Sequence, residues 1–156
     1  MIAQMNIKLV FYDFDGVMTD NKAYLSEKGD ESVKINRSDG LGVSLISNLG
    51  IKQIILSTEK NRIVKKRANK LKIGCFSNLK DKASKAKEIT KKLKIDLKDC
   101  CFIGNDLNDL EVMKLVGMAI CPADAAKEIK QISNLILKSS GGEGVIREFF
   151  DHINKK

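Results

Sequence analysis

Short apolar runs rich in β-forming residues alternate with longer stretches of helical period along most of this chain. That alternation constrains the fold more than any other feature. "IKLVFYD", "IKQIILS", "IGCFS", "DCCFIG", "GMAIC" and "NLILKS" each have the length and composition of a buried strand. "DGLGVSLISNLG" sets Leu41, Leu45, Ile46 and Leu49 at helical spacing and stops at Gly50. "EKNRIVKKRANKLK", "DKASKAKEITKKLK", "DLNDLEVMKLV", "ADAAKEIKQIS" behind Pro122, and "GVIREFFDHINK" supply further helices. "KAYLSEKGDESVKIN" alternates about the turn residues Lys28, Gly29 and Asp30, which predicts a β-hairpin. From about residue 39 onward strand and helix simply take turns. The expectation is an α/β fold: a three-layer, Rossmann-like parallel sheet with right-handed crossovers and a β-hairpin insertion after strand 1. No linker, repeat or low-complexity tract divides the 156 residues, so one domain over 1–156 is expected. A chain of that length buries roughly two thirds of its extended surface, enough for a core.

Several function classes are disfavoured at this level. No apolar run approaches the ~20 residues that span a bilayer. The first ten residues carry no small-residue cleavage site, so neither a leader nor a membrane association is expected. Cys75, Cys100, Cys101 and Cys121 form no CxxC pair and read as buried small hydrophobes in a reducing cytoplasm. The single histidine, His152, lies near the C-terminus, which speaks against histidine-based catalysis. The net charge of +8 comes from lysines interleaved with apolar residues on helical stretches, with no aromatic platform beside them. They read as solvated helix faces rather than a nucleic-acid surface.

In an open α/β sheet, ligands bind beyond the carboxyl ends of the strands. The first strand ends in Asp13-Phe14-Asp15-Gly16, the second in Ser57-Thr58, the fourth in Gly104-Asn105-Asp106, and Lys82 follows the third. Asp13 and Asp15 are two residues apart, the spacing that aims both carboxylates to one side of a strand, and Gly16 lets the backbone turn after them. An EF-hand loop is excluded, because Gly comes at the fourth position and a strand precedes it. A nucleophile paired with a general acid/base, their repulsion relieved by a divalent cation, fits the pair. Ser57 can donate to a phosphate oxygen or serve as ordinary turn chemistry. Lys82 opens a helix whose first turn favours acids, which hints at a role, with Lys80 as competitor. Asn105, Asp106 and Asp109 crowd a strand-to-helix turn and complete an oxygen-rich cluster suited to Mg²⁺.

These residues resemble the haloacid dehalogenase superfamily. "DFDGVMTD" looks like its first motif, Ser57 stands at the second, Lys82 at the third, and "GNDLND" looks like the fourth. "SDGLGVSLI", "STEKNRIVKKRANKL", "GNDLNDLEVM" and "GGEGVIREF" are closer still to its sugar-acid phosphatases. That subgroup includes the 3-deoxy-manno-octulosonate 8-phosphate phosphatases and the phosphatase-like domain of acylneuraminate cytidylyltransferases. The resemblance implies a Mg²⁺-dependent phosphomonoesterase with Asp13 as nucleophile and Asp15 as general acid/base. It places the metal on Asp13, the Asp15 carbonyl and Asn105, and the phosphate on Ser57, Thr58 and Lys82. Gly16, Asp106 and Asp109 would support the site, and Arg37 and Asp39 would reach the substrate, a 2-keto-3-deoxy sugar acid phosphate.

The chain departs from the family pattern at two places. Asn105 stands where the family has a metal-binding aspartate; either Asp106 compensates or metal affinity falls. Ser38 stands where an arginine often precedes "DG". Ser57 and Lys82 are 25 positions apart and Asp13 and Ser57 are 44 apart, which leaves no room for a cap domain. The resemblance then implies a homo-oligomer, a tetramer, in which a neighbour covers the site. Two other activities stay open: a weakly active oligomerisation module tied to sialic-acid-type sugar activation, and a phosphotransferase using the same intermediate.

Overall fold

The computed structural model describes residues 6–154. Strand β1 (Leu9–Tyr12) is the centre from which the sheet grows. Its four side chains are fully buried and alternate between faces. Leu9 and Phe11 join Ala86, Ile89, Phe102, Val112 and Ile129 on one side. Val10 and Tyr12 join Val43, Ile46, Val64, Ile146 and Phe149 on the other. A strand that is apolar on both faces fits only the middle of a covered parallel sheet. Cys100 and Cys101, neighbours in sequence, point to opposite cores for the same reason.

The hairpin strands β2 (Tyr24–Leu25) and β3 (Glu31–Ser32) come next, then α1 (Arg37–Asn48), β4 (Lys52–Leu56), α2 (Ile63–Leu71), β5 (Gly74–Phe76) and α3 (Lys82–Leu93). The chain continues through β6 (Cys100–Ile103), α4 (Leu110–Leu115), β7 (Met118–Cys121), α5 (Lys127–Ile132), β8 (Leu135–Ile136) and α6 (Val145–Ile153). Six strands form one parallel sheet in the order β5-β4-β1-β6-β7-β8. Helices α1, α2 and α6 cover one face and α3, α4 and α5 the other. This is the expected three-layer architecture with the hairpin after β1. Successive strands leave β1 on one side, then return to its other side. The switch in direction falls at β1, flanked by β4 and β6, where a ligand crevice opens.

The differences from the sequence reading are local. The hairpin strands are only two residues each, tied at their base by a Thr19–Ile35 bridge. The helix expected from residue 106 begins as a 3-10 turn over Leu107–Asp109. The helix expected behind Pro122 starts only at Lys127, because Asp124 accepts from Gly141 N at 2.9 Å and stays in the loop. The residue at the end of "GVIREFFDHINK" and those before Asn6, on which the expected absence of a leader rests, lie outside the described residues. Most lysines of α2 and α3 face solvent; Lys82 is buried, and Lys85 is half-buried over the Phe76 ring. Among the described residues no helix is long and apolar enough to cross a membrane.

Asp39 requires a correction. It is 1% exposed, and its Oδ1 accepts from Ile146 N at 3.0 Å and Arg147 N at 3.2 Å. Gly144, at the N-cap of α6, has no side chain to satisfy these N–H groups. Asp39 therefore caps α6 from α1 and does not face a substrate. Burial pushes its carboxyl from an ordinary 3.8 up to about 6, against the pull of those two N–H groups and Arg67. Among the described residues its second oxygen has no hydrogen-bond partner. From about pH 4 to pH 6 the unfolded chain releases this proton while the folded chain keeps it, so stability drains away as pH rises through that window. Asp39→Asn keeps an acceptor for α6 and has no charge to desolvate. Between pH 4 and pH 7 the stability gap is expected to move in the variant's favour by at most about 3 kcal/mol, read from urea melts at the two pH values. A gap independent of pH would refute this account.

Candidate active site

At the carboxyl edge of the sheet, the ends of β1, β4 and β6 converge on a polar pocket of about 140 Å³. Asp13, Asp15, Asn21, Ser57, Thr58, Glu59, Asn105, Asp106 and Asn108 line it. Parallel registry brings them together: Tyr12 lies beside Ile55 and Ile103, so β1 and β6 end at one level and β4 one residue beyond, at Leu56.

Asp13 is 5% exposed. Its Oδ1 accepts from Phe14 N at 2.8 Å and from Lys82 Nζ at 2.8 Å. Lys82 Nζ also donates to Asp109 Oδ1 at 2.7 Å, so one ammonium bridges two buried carboxylates. Burial, then the Asp109 charge, push the Asp13 carboxyl up to about 7, against the pull of Lys82. Burial also works hardest against the charge on Lys82, but the two carboxylates outweigh it and hold the ammonium above its ordinary value. Asp109 is fixed in turn: its Oδ2 accepts from Asn105 N at 2.9 Å.

Asp15 is half-buried, and burial raises its carboxyl above the ordinary 3.8. Thr19 Oγ1 donates to Asp15 Oδ1 at 3.2 Å and accepts from Gly16 N and Asn21 N at 3.3 and 3.1 Å. Thr19 is fully buried and received no role from the sequence, although it stands inside "DFDGVMTD". Its signal was a hydroxyl four residues after Asp15, within reach once Gly16 turns the chain at φ +83°.

Asn105 packs over that turn. A Cβ on Gly16 would fall inside the Asn105 amide, so only glycine admits it. The two groups facing the amide, Asp15 O and Asp13 Oδ2, are both acceptors. Two acceptors call for a donor, so the amide is assigned with Nδ2 towards them, at 3.0 and 2.9 Å. With the amide turned round, its oxygen, Asp13 Oδ2 and the Asp15 carbonyl form an all-oxygen donor set that fits a hard cation, with one charge among three donors. Among the described residues, no group of three or more His, Cys, Asp or Glu gathers to hold a metal.

The remaining expected residues divide. Ser57 is buried at the end of β4, where its Oγ accepts from Glu59 N at 3.1 Å, and Thr58 is exposed beside it; both line the pocket. Lys82 is 3% exposed and stands behind Asp13 rather than in the pocket wall. Asp106 caps the 3-10 turn through Leu107 N and is exposed. Arg37 lines a different groove, between α1 and α2, with Arg67 and Lys70. The Gly-rich segment before α6 is buried against this site: Gly142 N donates to Val17 O at 3.0 Å, and a Cβ on Gly141 would meet the Gly16 carbonyl oxygen.

Residues 50–149 match the haloacid dehalogenase-like hydrolase family. The N-acylneuraminate cytidylyltransferase A of Danio rerio is 30% identical over 94% of this chain, which spans only 35% of that protein. The 3-deoxy-D-manno-octulosonate 8-phosphate phosphatase of Yersinia pestis is 31% identical over 95% of this chain and 80% of its own length. The Moraxella catarrhalis phosphatase of the same name, solved in complex with magnesium ion, phosphate ion and a KDO molecule, superposes with a TM-score of 0.93. It is 31% identical over 97% of this chain and 89% of that one.

Proposed function

Because the chain belongs to the haloacid dehalogenase-like hydrolases, we propose that it is a Mg²⁺-dependent phosphomonoesterase acting on a 2-keto-3-deoxy sugar acid phosphate of the octulosonate 8-phosphate or acylneuraminate 9-phosphate kind. The observation that carries this reading is the meeting of Asp13, Asp15, Ser57 and Asn105 in one small polar pocket. The Yersinia and Moraxella relatives support the substrate class.

Asp13, held by Phe14 N and Lys82, attacks phosphorus and forms an aspartyl-phosphate. Asp15, oriented by Thr19, gives its proton to the departing alkoxide and then takes one from the water that hydrolyses the intermediate. Ser57 and Thr58 donate to phosphoryl oxygens at the pocket wall. Lys82 keeps Asp13 in place and Asp109 keeps Lys82 in place. Asp13 Oδ2, the Asp15 carbonyl and the Asn105 amide oxygen would hold Mg²⁺, which when bound offsets phosphate charge. Inorganic phosphate released in a screen over 2-keto-3-deoxy sugar acid phosphates, with EDTA as control, tests the reading. Release unaffected by EDTA, or from no member of the class, would refute it.

Read as one domain without a cap, the described residues place no cap domain over the pocket. The same proposal makes the protein a homo-oligomer, a tetramer by resemblance, in which a neighbour covers the site. The hairpin side chains of Tyr24 and Leu25, 76% and 71% exposed, supply an apolar tip for that contact. Light scattering at micromolar concentration is expected to give a multiple of the 17.3 kDa chain, and a monomer would contradict it. Asn105 favours a second reading, a weakly active module, for which the same assay gives little phosphate at any Mg²⁺ concentration.

A further inference from the structure

We propose that the Asn105 amide stands in for the cation in the metal-free protein, so that metal binds only by turning the amide round; this rests on reading the cluster as a cation-phosphate site. The acceptors that would hold a cation, Asp13 Oδ2 and Asp15 O, lie 2.9 and 3.0 Å from one terminal atom of the Asn105 amide; because both are acceptors, that atom is assigned as Nδ2, which donates to both. Both atoms carry negative charge, formal or partial, and converge on one donor. An N–H₂ group meets that need with two protons, as a cation would with its charge.

The backbone around Asn105 cannot adjust to make room. Its N–H donates to Asp109 Oδ2 at 2.9 Å, its carbonyl accepts from Ala126 N at 2.9 Å, and its side chain lies against Gly16. The freedom left is rotation of the amide, which exchanges Nδ2 for Oδ1 and converts a donor into a ligand. The residue thus has two settings. In one it neutralises the acceptors itself; in the other it faces a metal with its oxygen.

An aspartate at this position has no first setting. It would bring a second carboxylate to about hydrogen-bond distance of Asp13 Oδ2, where the two repel unless one of them takes up a proton. Such a site is disordered or strained without metal and binds metal more tightly. Asparagine reverses both properties: the metal-free site is organised in advance, and the cation must displace two hydrogen bonds to enter.

The test compares wild type with Asn105→Asp, each stripped with EDTA and then titrated with Mg²⁺ alone and Mn²⁺ alone. The wild type is expected to melt at the higher temperature in EDTA and to gain little on adding Mg²⁺. The variant is expected to melt lower in EDTA and to gain much more. Calorimetry is expected to give Mn²⁺ affinity tighter by on the order of 10–100-fold in the variant. Equal affinities, or equal melting in EDTA, would overturn the proposal while leaving the phosphatase reading intact. If neither protein binds Mg²⁺ or Mn²⁺, the cation-site reading falls with it. Should Asn105→Asp not fold without metal, the wild type alone decides. Its Asn105 side-chain amide protons, assigned by their absence in Asn105→Ala, are expected to be protected from exchange in EDTA and exposed on adding Mg²⁺. Amide protons unchanged by Mg²⁺ at saturation would refute the rotation.

Discussion

Asp13→Asn is expected to abolish phosphate release from a phosphomonoester, by roughly 10⁴-fold or more in kcat. The substitution removes the proposed nucleophile and turns the Oδ2 position, which faces the Asn105 amide, from an acceptor into a donor. An amide oxygen at this position can still accept from Phe14 N and from Lys82, the two groups that hold Asp13 Oδ1. It also reduces a buried cluster of two carboxylates and one ammonium to one of each, which offsets the lost contact with Asn105, so the fold is expected to melt close to wild type. Lost turnover in a protein of unchanged melting temperature therefore reports chemistry and not unfolding. Asp15→Asn sharpens the contrast. A general acid matters in proportion to the basicity of the leaving group. The Asp15 variant should accordingly retain more of its activity on p-nitrophenyl phosphate than on an alkyl phosphate. Turnover by Asp13→Asn within tenfold of wild type would sink the covalent mechanism.

Most of the site's residues could be read from the chain, and those that could not depend on partners that only the fold or a local turn supplies. β1, β4 and β6 were legible because a strand buried on both faces must be continuously apolar, and their ends were legible because polar residues stop such runs. Asp13, Asp15, Ser57 and Asn105 follow from those ends. Asp39 was misplaced because its partners, the N–H groups of Ile146 and Arg147, lie more than a hundred positions away. A carboxylate that caps a distant helix looks, in sequence, like one that faces a ligand. Helices α4 and α5 came out shorter than their periodicity because Asp106 and Asp124 satisfy backbone N–H groups and hold those residues outside the helix. Thr19 was invisible because its role exists only after Gly16 turns the chain back. The identity of Asn105 was plain, but not the direction of its amide, which depends on two acceptors that β1 brings to it.

Lys82→Met is expected to destabilise the fold by about 3–5 kcal/mol at neutral pH. Methionine fills much the same volume beside Phe102, whose ring centre lies 5.9 Å from Nζ, so packing changes little. What changes is charge: Asp13 and Asp109 stay buried with no ammonium between them. Breaking one side of a buried ionic cluster leaves an uncompensated charge, and that penalty exceeds the net worth of the intact cluster. Adding Asp109→Asn to Lys82→Met removes one of the stranded charges. The double variant is therefore expected to be more stable than Lys82→Met alone, a coupling that urea melts of the four proteins measure directly. A single-variant loss below about 1 kcal/mol would mean that the carboxylates are hydrated rather than buried. The same variant separates two roles for the lysine. Lys82 is buried behind Asp13 and outside the pocket wall, so its removal should act through the position and charge of the nucleophile. The expected signature is a kcat lowered by at least two orders of magnitude, as roughly estimated for a lost preorganising group, with KM nearly unchanged. A large rise in KM with kcat preserved would instead assign Lys82 to ground-state binding of the phosphate.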